Sequence, residues 1–451
     1  MSKRLYLLFA CCFCACGLWA QGLTLDSCLQ LARQNNPSVR KAELDVKRAE
    51  EVKAQALTKY FPQIQGTAFG YHALHPLVEA GIDDIGNASV RDLLTTLYGN
   101  YGAALGLDNT LRLFQYGYLF GVTAVQPVFV GGKIVAGNKL AKVGVEAAKL
   151  QAEIAQRDQL EQVEESYWLV YGLQEKQTIL EEANRLLETL ARVVNAAVEA
   201  GLALPTDAMQ VQMKKDEIQR KEIQLESGIR LARRALALSI GAADGDSLVL
   251  AEQTAAIELS LPADTVGQTA EQQLLALQIR AAELEKRMAL ADALPQLAVG
   301  ANYSYSRMQA NVLPNGIGNK TGNGAVFVTL NVPLMGWWET GHKLREKQYA
   351  IEQARIDADY VGAQLDLRTK QTYDQVVEAA MLVQLQERAR DHAQEIYHQI
   401  RNNYEAGLAT VTELLQAHTT LTQAKADLTD AQIAYRVHSR RYKDLVGDFK
   451  H

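Results

Sequence analysis

His392, Glu395 and His398 are the residues whose types and spacing come nearest to a metal site in this 451-residue sequence. On a helix their spacing by three turns the two imidazoles about 120° apart, too splayed to hold one ion without a second chain. Solvated surface positions are therefore the expectation, with no metal bound. His72 and His75 are read as exposed loop residues. The sequence contains no zinc-protease His-Glu pair, phosphate loop, dinucleotide fingerprint or nucleophile elbow. No catalytic residue is named, no cofactor is implied, and an enzyme is not expected. Acids and bases are interspersed with a net charge of -6, so no basic face exists for nucleic acid.

The first twenty residues read as a targeting segment (1–20). Lys3 and Arg4 form a basic start, Leu5 to Leu18 is an apolar run too short to span a bilayer comfortably, and Ala20 suits cleavage. Four of the five cysteines (Cys11, Cys12, Cys14, Cys16) lie in it, so the mature chain keeps Cys28 and no intramolecular disulfide. A second processing route stays open, in which Ala15-Cys16 is a lipoprotein site and Cys16 carries the lipid. No later stretch reaches eighteen apolar residues. The options are a periplasmic protein, an extracellular one, or an outer-membrane barrel.

The elements are duplicated. Glu199-Ala200-Gly201-Leu202-Ala203 returns as Glu405-Ala406-Gly407-Leu408-Ala409, offset by 206 residues. The same offset carries Thr206 onto Thr412, Asp207 onto Glu413, Gln210 onto Gln416, Gly241 onto Gly447 and Pro127 onto Pro333. Pro62-Gln63 matches Pro295-Gln296 at offset 233, so the first copy carries 27 extra residues, assigned to an enlarged loop at about 72–115. The chain is divided into a first repeat (21–241), a linker (242–268), a second repeat (269–447) and a tail (448–451).

Each repeat orders its pieces alike: a helix (26–59, then 270–293), two strands (62–71 and 117–130, then 295–306 and 324–334), a very long helix (133–199, then 341–405), a break, and a last helix (206–240, then 411–446). In the second repeat Leu297, Val299, Ala301, Tyr303 and Tyr305 alternate with wetter positions, as do Val326, Val328, Leu330, Val332 and Leu334. Such alternation gives one apolar and one wetter face. By itself it fits a soluble sandwich as readily as a membrane barrel, although tyrosines at one end suit a headgroup belt. Leu414, Ala417, Leu421, Ala424, Leu428, Ala431 and Tyr435 keep the 3,4 spacing of a coiled-coil seam. A 341–405 helix would run roughly 100 Å, a rod suited to crossing a periplasm.

These residues carry a resemblance to the TolC-type outer-membrane efflux proteins over nearly all of the mature chain. Leu23-Thr24-Leu25-Asp26 with Ala32 and Asn36-Pro37 resembles the family's N-terminal signature. Gln126-Pro127-Val128-Phe129-Val130-Gly131-Gly132 and Val332-Pro333-Leu334-Met335-Gly336 resemble its strand-to-helix junctions, which places Pro62, Pro127, Pro295 and Pro333 at such junctions. Tyr404-Glu405-Ala406-Gly407-Leu408, running into Glu413-Leu414-Leu415, resembles its tip. The resemblance implies a mostly α fold with a small membrane β-barrel. In it three copies make an α-barrel of long coiled-coil helices, and four strands per chain complete a twelve-stranded transmembrane β-barrel. Strand arithmetic agrees, since four strands cannot close, about eight give a filled interior, and only larger numbers leave water inside.

The resemblance also implies the partners: a homotrimer, a periplasmic adaptor (membrane fusion) protein, an inner-membrane pump of RND or ABC type, and outer-membrane lipid. It places adaptor docking at the tips Gly201, Leu202, Gly407 and Leu408, where the same glycines also fit plain helix caps. A periplasmic gate falls on Glu413, with Gln416 one turn on, on their counterparts Asp207 and Gln210, and on Tyr404, matching a tyrosine that locks the closed state. Three Glu413 side chains on one axis would repel and favour cations. Ala409 stands where the family carries an arginine, so any lock here is built differently. The function implied is a passive exit duct of a tripartite efflux or secretion system; the alternative is a poreless periplasmic or surface coiled-coil spacer.

Overall fold

In the computed structural model the described residues are 22–75, 78–105, 110–246, 248–251, 259, 269–311, 317–334 and 336–446. The targeting segment 1–20 with Cys16, most of the 242–268 linker, Met335, Gly447 and the 448–451 tail lie outside them. The chain forms two compact units, and each draws on both sequence repeats. One comprises the chain up to Ala49, Val145–Gln278 and the chain from Ala354; the other comprises Glu50–Gly144 and Ile279–Gln353.

The first unit is helical. Helices α1 (Leu25–Asn35) and α2 (Pro37–Thr58) part at Asn36-Pro37 because proline removes the amide that would continue α1, and it suits the first position of the next helix. Asn36 then serves both sides of the break. Its Oδ1 accepts from the Ser38 amide at 2.8 Å, and its Nδ2 donates to the Ser239 carbonyl at 2.7 Å. The signature dipeptide is thus a structural pin. Beyond it, Leu23 bridges to Leu250 in parallel, through its amide on the Val249 carbonyl at 2.8 Å.

Four long helices supply the rest: α4 (Lys133–Glu199) from Val145 on, α5 (Pro205–Ile240), α7 (Trp337–Glu405) from Ala354 on, and α8 (Val411–Val446). The 3,4 seam of α8 is buried within the single chain. Leu414, Ala417, Ala424, Leu428 and Tyr435 are buried, with Leu421 and Ala431 packed at the edges of the same clusters. A separate core gathers Cys28, Tyr167, Trp168, Leu236 and Ile240, where burial pushes the Cys28 thiol up to about 12 and leaves it inert.

The second unit is built on an antiparallel sheet. Its strands run in the order β1 (Gln63–His72), β3 (Thr110–Val130), β4 (Gln296–Asn311) and β5 (Ile317–Asn331). A short β2 (Val78–Gly81) lies on β3 off that path. The segment read as a loop at 72–115 is therefore not simply a loop. It holds β2, a 3-10 turn (Ile82–Asp84), helix α3 (Ala88–Leu105) and the first residues of β3. Its Gly-, Asn- and Tyr-rich composition hid an amphipathic period that Asn87 starts, accepting the Ser89 amide at 3.1 Å. Helix α6 (Ala270–Ala291) precedes β4. At the β3–α4 turn Gly131 and Gly132 take positive φ (64° and 82°), and a Cβ on Gly131 would lie 2.6 Å from the Ala291 carbonyl. Lys133 and Lys343, one from each repeat, both reach Asp292 at 2.6 and 3.3 Å.

Candidate functional site

The register fixes what each face of the sheet presents. Ile64 pairs with Ala124, Ala124 with Ala301, and Ala301 with Val326. Stepping by two along each strand, this face carries Phe120, Val122, Val299, Tyr303, Tyr305, Val328 and Leu330. Ile64 is 73% exposed, Tyr303 62%, Val326 79%, Val328 66% and Leu330 63%. A soluble sheet buries such a face, and this one has no covering layer among the described residues. The opposite face carries Gln65, Thr67, Thr123, Asn302, Ser304, Asn323 and Thr329, with an Asn302–Thr123 hydrogen bond at 3.1 Å. One face is thus apolar and the other mostly polar or small, although Phe69, Leu119, Val125 and Phe327 also lie on the second, and both edge strands, β1 and β5, have an unpaired side among the described residues. The four prolines gather at one end: Pro62 before β1, Pro127 at a bulge near the close of β3, Pro295 before β4 and Pro333 after β5.

The other predicted site lies in the helical unit, where α4 turns into α5 and α7 into α8. Both turns have the same construction. Gly201 and Gly407 take φ of 72° and 73°, and the next amide reaches back five residues in each case. Leu202 donates to the Ala197 carbonyl at 2.8 Å, and Leu408 to the Asn403 carbonyl at 2.7 Å. In this motif the residue after the glycine ordinarily packs on the residue whose carbonyl it takes. Here those residues are alanine and asparagine, which offer a leucine little to cover it. Leu202 and Leu408 are 83% and 80% exposed.

The two acids expected at a gate close the helix starts. Asp207 Oδ2 accepts the Leu204 amide at 3.2 Å. Glu413 Oε2 accepts the Thr410 amide at 2.7 Å and its hydroxyl at 2.9 Å, while Thr410 Oγ1 accepts the Glu413 amide at 3.2 Å. The Thr410 amide, then its hydroxyl, holds the Glu413 carboxyl below its ordinary range, so it stays charged. Gln416 is exposed one turn on. Gln210 meets the other repeat directly, accepting the Thr412 hydroxyl at 2.8 Å. Tyr404 packs against the tip core, its phenol raised by burial and then by the charge of Asp207, with no hydrogen bond between the two among the described residues. His392, Glu395 and His398 are all exposed on α7.

Sequence reading missed two buried features of this unit. His418 is buried edge-on to Tyr397, with ring centroids 6.0 Å apart, and burial pulls its imidazole down to about 4. It is therefore neutral. Between α4 and α8 lies a charged cluster: Arg441 bonds Glu161 and Glu165, while Arg440 lies 3.0 Å from Asp444 and 3.5 Å from Glu164. Trp168 Nε1 donates to Glu164 at 3.3 Å, and Arg436 covers the Trp168 ring at 4.4 Å. Burial pushes Glu164 up to about 7 against the pull of Arg440. An acid raised in the folded state stabilises below its unfolded value, and that contribution fades as pH climbs through about 7, at a cost of about 3 kcal/mol. Neutral His418 works the other way, adding stability as pH rises towards the ordinary imidazole value, so the Glu164 part is read as a difference. In thermal unfolding followed by circular dichroism, the chain should lose stability relative to Glu164→Gln between pH 5 and pH 8; a constant difference would place the titration elsewhere.

Residues 28–242 and 270–447 match the family described as outer membrane efflux protein, and the chain belongs to that family. None of the curated proteins matches it. Among solved structures it is similar to the Campylobacter jejuni CmeC outer membrane channel at 13% identity and TM-score 0.75, covering 94% of this chain and 85% of that one. The outer membrane protein VceC from Vibrio cholerae gives 17% identity and TM-score 0.72, with 94% and 96% covered. The open state of the Neisseria gonorrhoeae MtrE outer membrane channel gives 15% and 0.65, with 94% and 88% covered. At these identities the likeness is one of fold.

Proposed function

We propose that this chain is the outer-membrane exit duct of an efflux or secretion system, three copies closing one twelve-stranded barrel and one tube of long helices. The observation that carries the proposal is the four-strand sheet with one exposed apolar face, one polar face and two unpaired edges. Lipid is the solvent that rewards such an apolar face, and a closed barrel is how a sheet satisfies its edges there. Four strands from one copy cannot close, and twelve leave room for water against the polar face. Substrates would pass without chemistry, driven by an inner-membrane pump of RND or ABC type. A periplasmic adaptor would cover Leu202 and Leu408 at the tips. Glu413 and Gln416, with Asp207, Gln210 and Tyr404 beside them, would form the periplasmic gate. A poreless coiled-coil spacer would leave the exposed face of β1, β3, β4 and β5 without purpose.

The test is conductance in a planar bilayer. Purified protein should give a cation-preferring pore. Glu413→Gln keeps a carbonyl to accept the Thr410 amide while removing charge, so it should lose the preference and keep the pore. Absence of any pore would overturn the duct. A pore whose selectivity ignores Glu413→Gln would reduce that residue to a helix cap.

A further inference from the structure

The inserted helix α3 has an apolar surface that nothing covers among the described residues. Its inner arc, with Leu94, Tyr98 and Gly102 half-buried or buried, rests on its own loop. A second arc carries Val90, Leu93, Leu97 and Tyr101, spaced 3, 4 and 4 along the helix and exposed at 44%, 61%, 46% and 57%. At about 100° per residue these four fall within an arc of about 80°. Asp92, Thr96 and Asn100 occupy the polar side. The helix joins the end of β1 to β3, opposite the end where the four prolines sit.

Two arguments choose what covers this stripe. A helix lying on an anionic lipid surface needs a basic polar face, and Ala88–Leu105 carries one arginine and one aspartate. The stripe is uncharged and suits an uncharged partner such as itself. The second argument is geometric and rests on the trimeric barrel proposed above. A barrel of that strand number is about 24 Å across. An 18-residue helix is about 27 Å long, comparable to that width, so three of them held at one rim lie within reach of each other. The link between β4 and β5 has room for only the few residues between Asn311 and Ile317, so each chain brings one such helix.

We propose that α3 packs through Val90, Leu93, Leu97 and Tyr101 against its counterparts from the other two copies, forming a helical collar over the outer mouth of the barrel. The partner is a second and third copy of this chain, and the contact is continuous with the strand pairing that closes the barrel. The collar narrows the exit at the end of the sheet opposite Pro62, Pro127, Pro295 and Pro333, a constriction separate from the periplasmic tip.

Cysteine cross-linking in the full chain, in its membrane, tests this. Leu93→Cys, Leu97→Cys and Tyr101→Cys are made singly and treated with an added oxidant, with Asp92→Cys on the polar side and the unsubstituted chain as references. All three positions are exposed, so folding should be unaffected. At least one stripe variant should give about tenfold more covalent dimer than Asp92→Cys, because pairing within one assembly raises the effective thiol concentration. If the detergent-extracted protein has the mass of a trimer and no stripe variant exceeds Asp92→Cys, the collar is wrong and the duct stands. If the extracted protein is a monomer, the duct itself is wrong, and the collar falls with it.

Discussion

Val328→Arg is expected to remove the protein from the membrane fraction, and Thr329→Arg to leave it there. The two residues are neighbours on β5 and point to opposite faces, since Val328 pairs with Val299 and Thr329 with Ala298. Val328 lies in the exposed apolar face, 66% open in a single chain. A cation facing lipid near the barrel midplane costs about 2–4 kcal/mol, and with three copies the penalty is roughly 6–12 kcal/mol per assembly, comparable to the whole stability of a domain. On the polar face the same arginine meets water. Fractionation and detergent extraction of the two variants give the comparison. Equal insertion of both would mean that the face carrying Val328 does not touch lipid.

The second large effect is expected at the tips. Leu202→Asp combined with Leu408→Asp should abolish export while leaving fold and copy number intact. Both leucines follow a helix-ending glycine, and the residues that would ordinarily cover them are Ala197 and Asn403. Their exposure costs the free chain and favours whatever covers them. A buried leucine knob at an interface centre contributes about 2 kcal/mol, so the pair should weaken adaptor capture by up to about a thousandfold. Cells carrying the double variant should be as sensitive to dyes, detergents or antibiotics as cells lacking the gene. Unchanged resistance with normal assembly would leave these leucines as ornaments of two helix caps.

Much of this architecture is legible in the residues because its signals are long or doubled. The duplicated Glu-Ala-Gly-Leu-Ala locates both tips, and the bounds read for the first long helix, 133–199, are those of α4. The 3,4 seam of α8 predicts its buried face because a seam of seven positions leaves little room for another register. What was not legible depends on contacts between distant segments. Asn36 looks like a family signature and is a capping residue pinned to Ser239, a partner some two hundred positions away. Glu164, Asp444 and Arg440 look like ordinary helix-surface charges, and only the packing of α8 on α4 buries the two acids. Helix α3 reads as loop in the sequence because its glycines and tyrosines dilute the period, and its exposed apolar arc is visible only once the helix is built. At the proposed gate the sequence shows the acids Asp207 and Glu413, and the structure shows what they do within one chain, which is to close the starts of α5 and α8.

Copy number in detergent bears most directly on all of this. The membrane-extracted protein, weighed by native mass spectrometry or light scattering with the detergent subtracted, should contain three chains of just under 50 kDa and should precipitate when detergent is withdrawn. A stable monomer in plain buffer would mean that the edges of β1 and β5 need no neighbour and that the apolar face of the sheet needs no lipid.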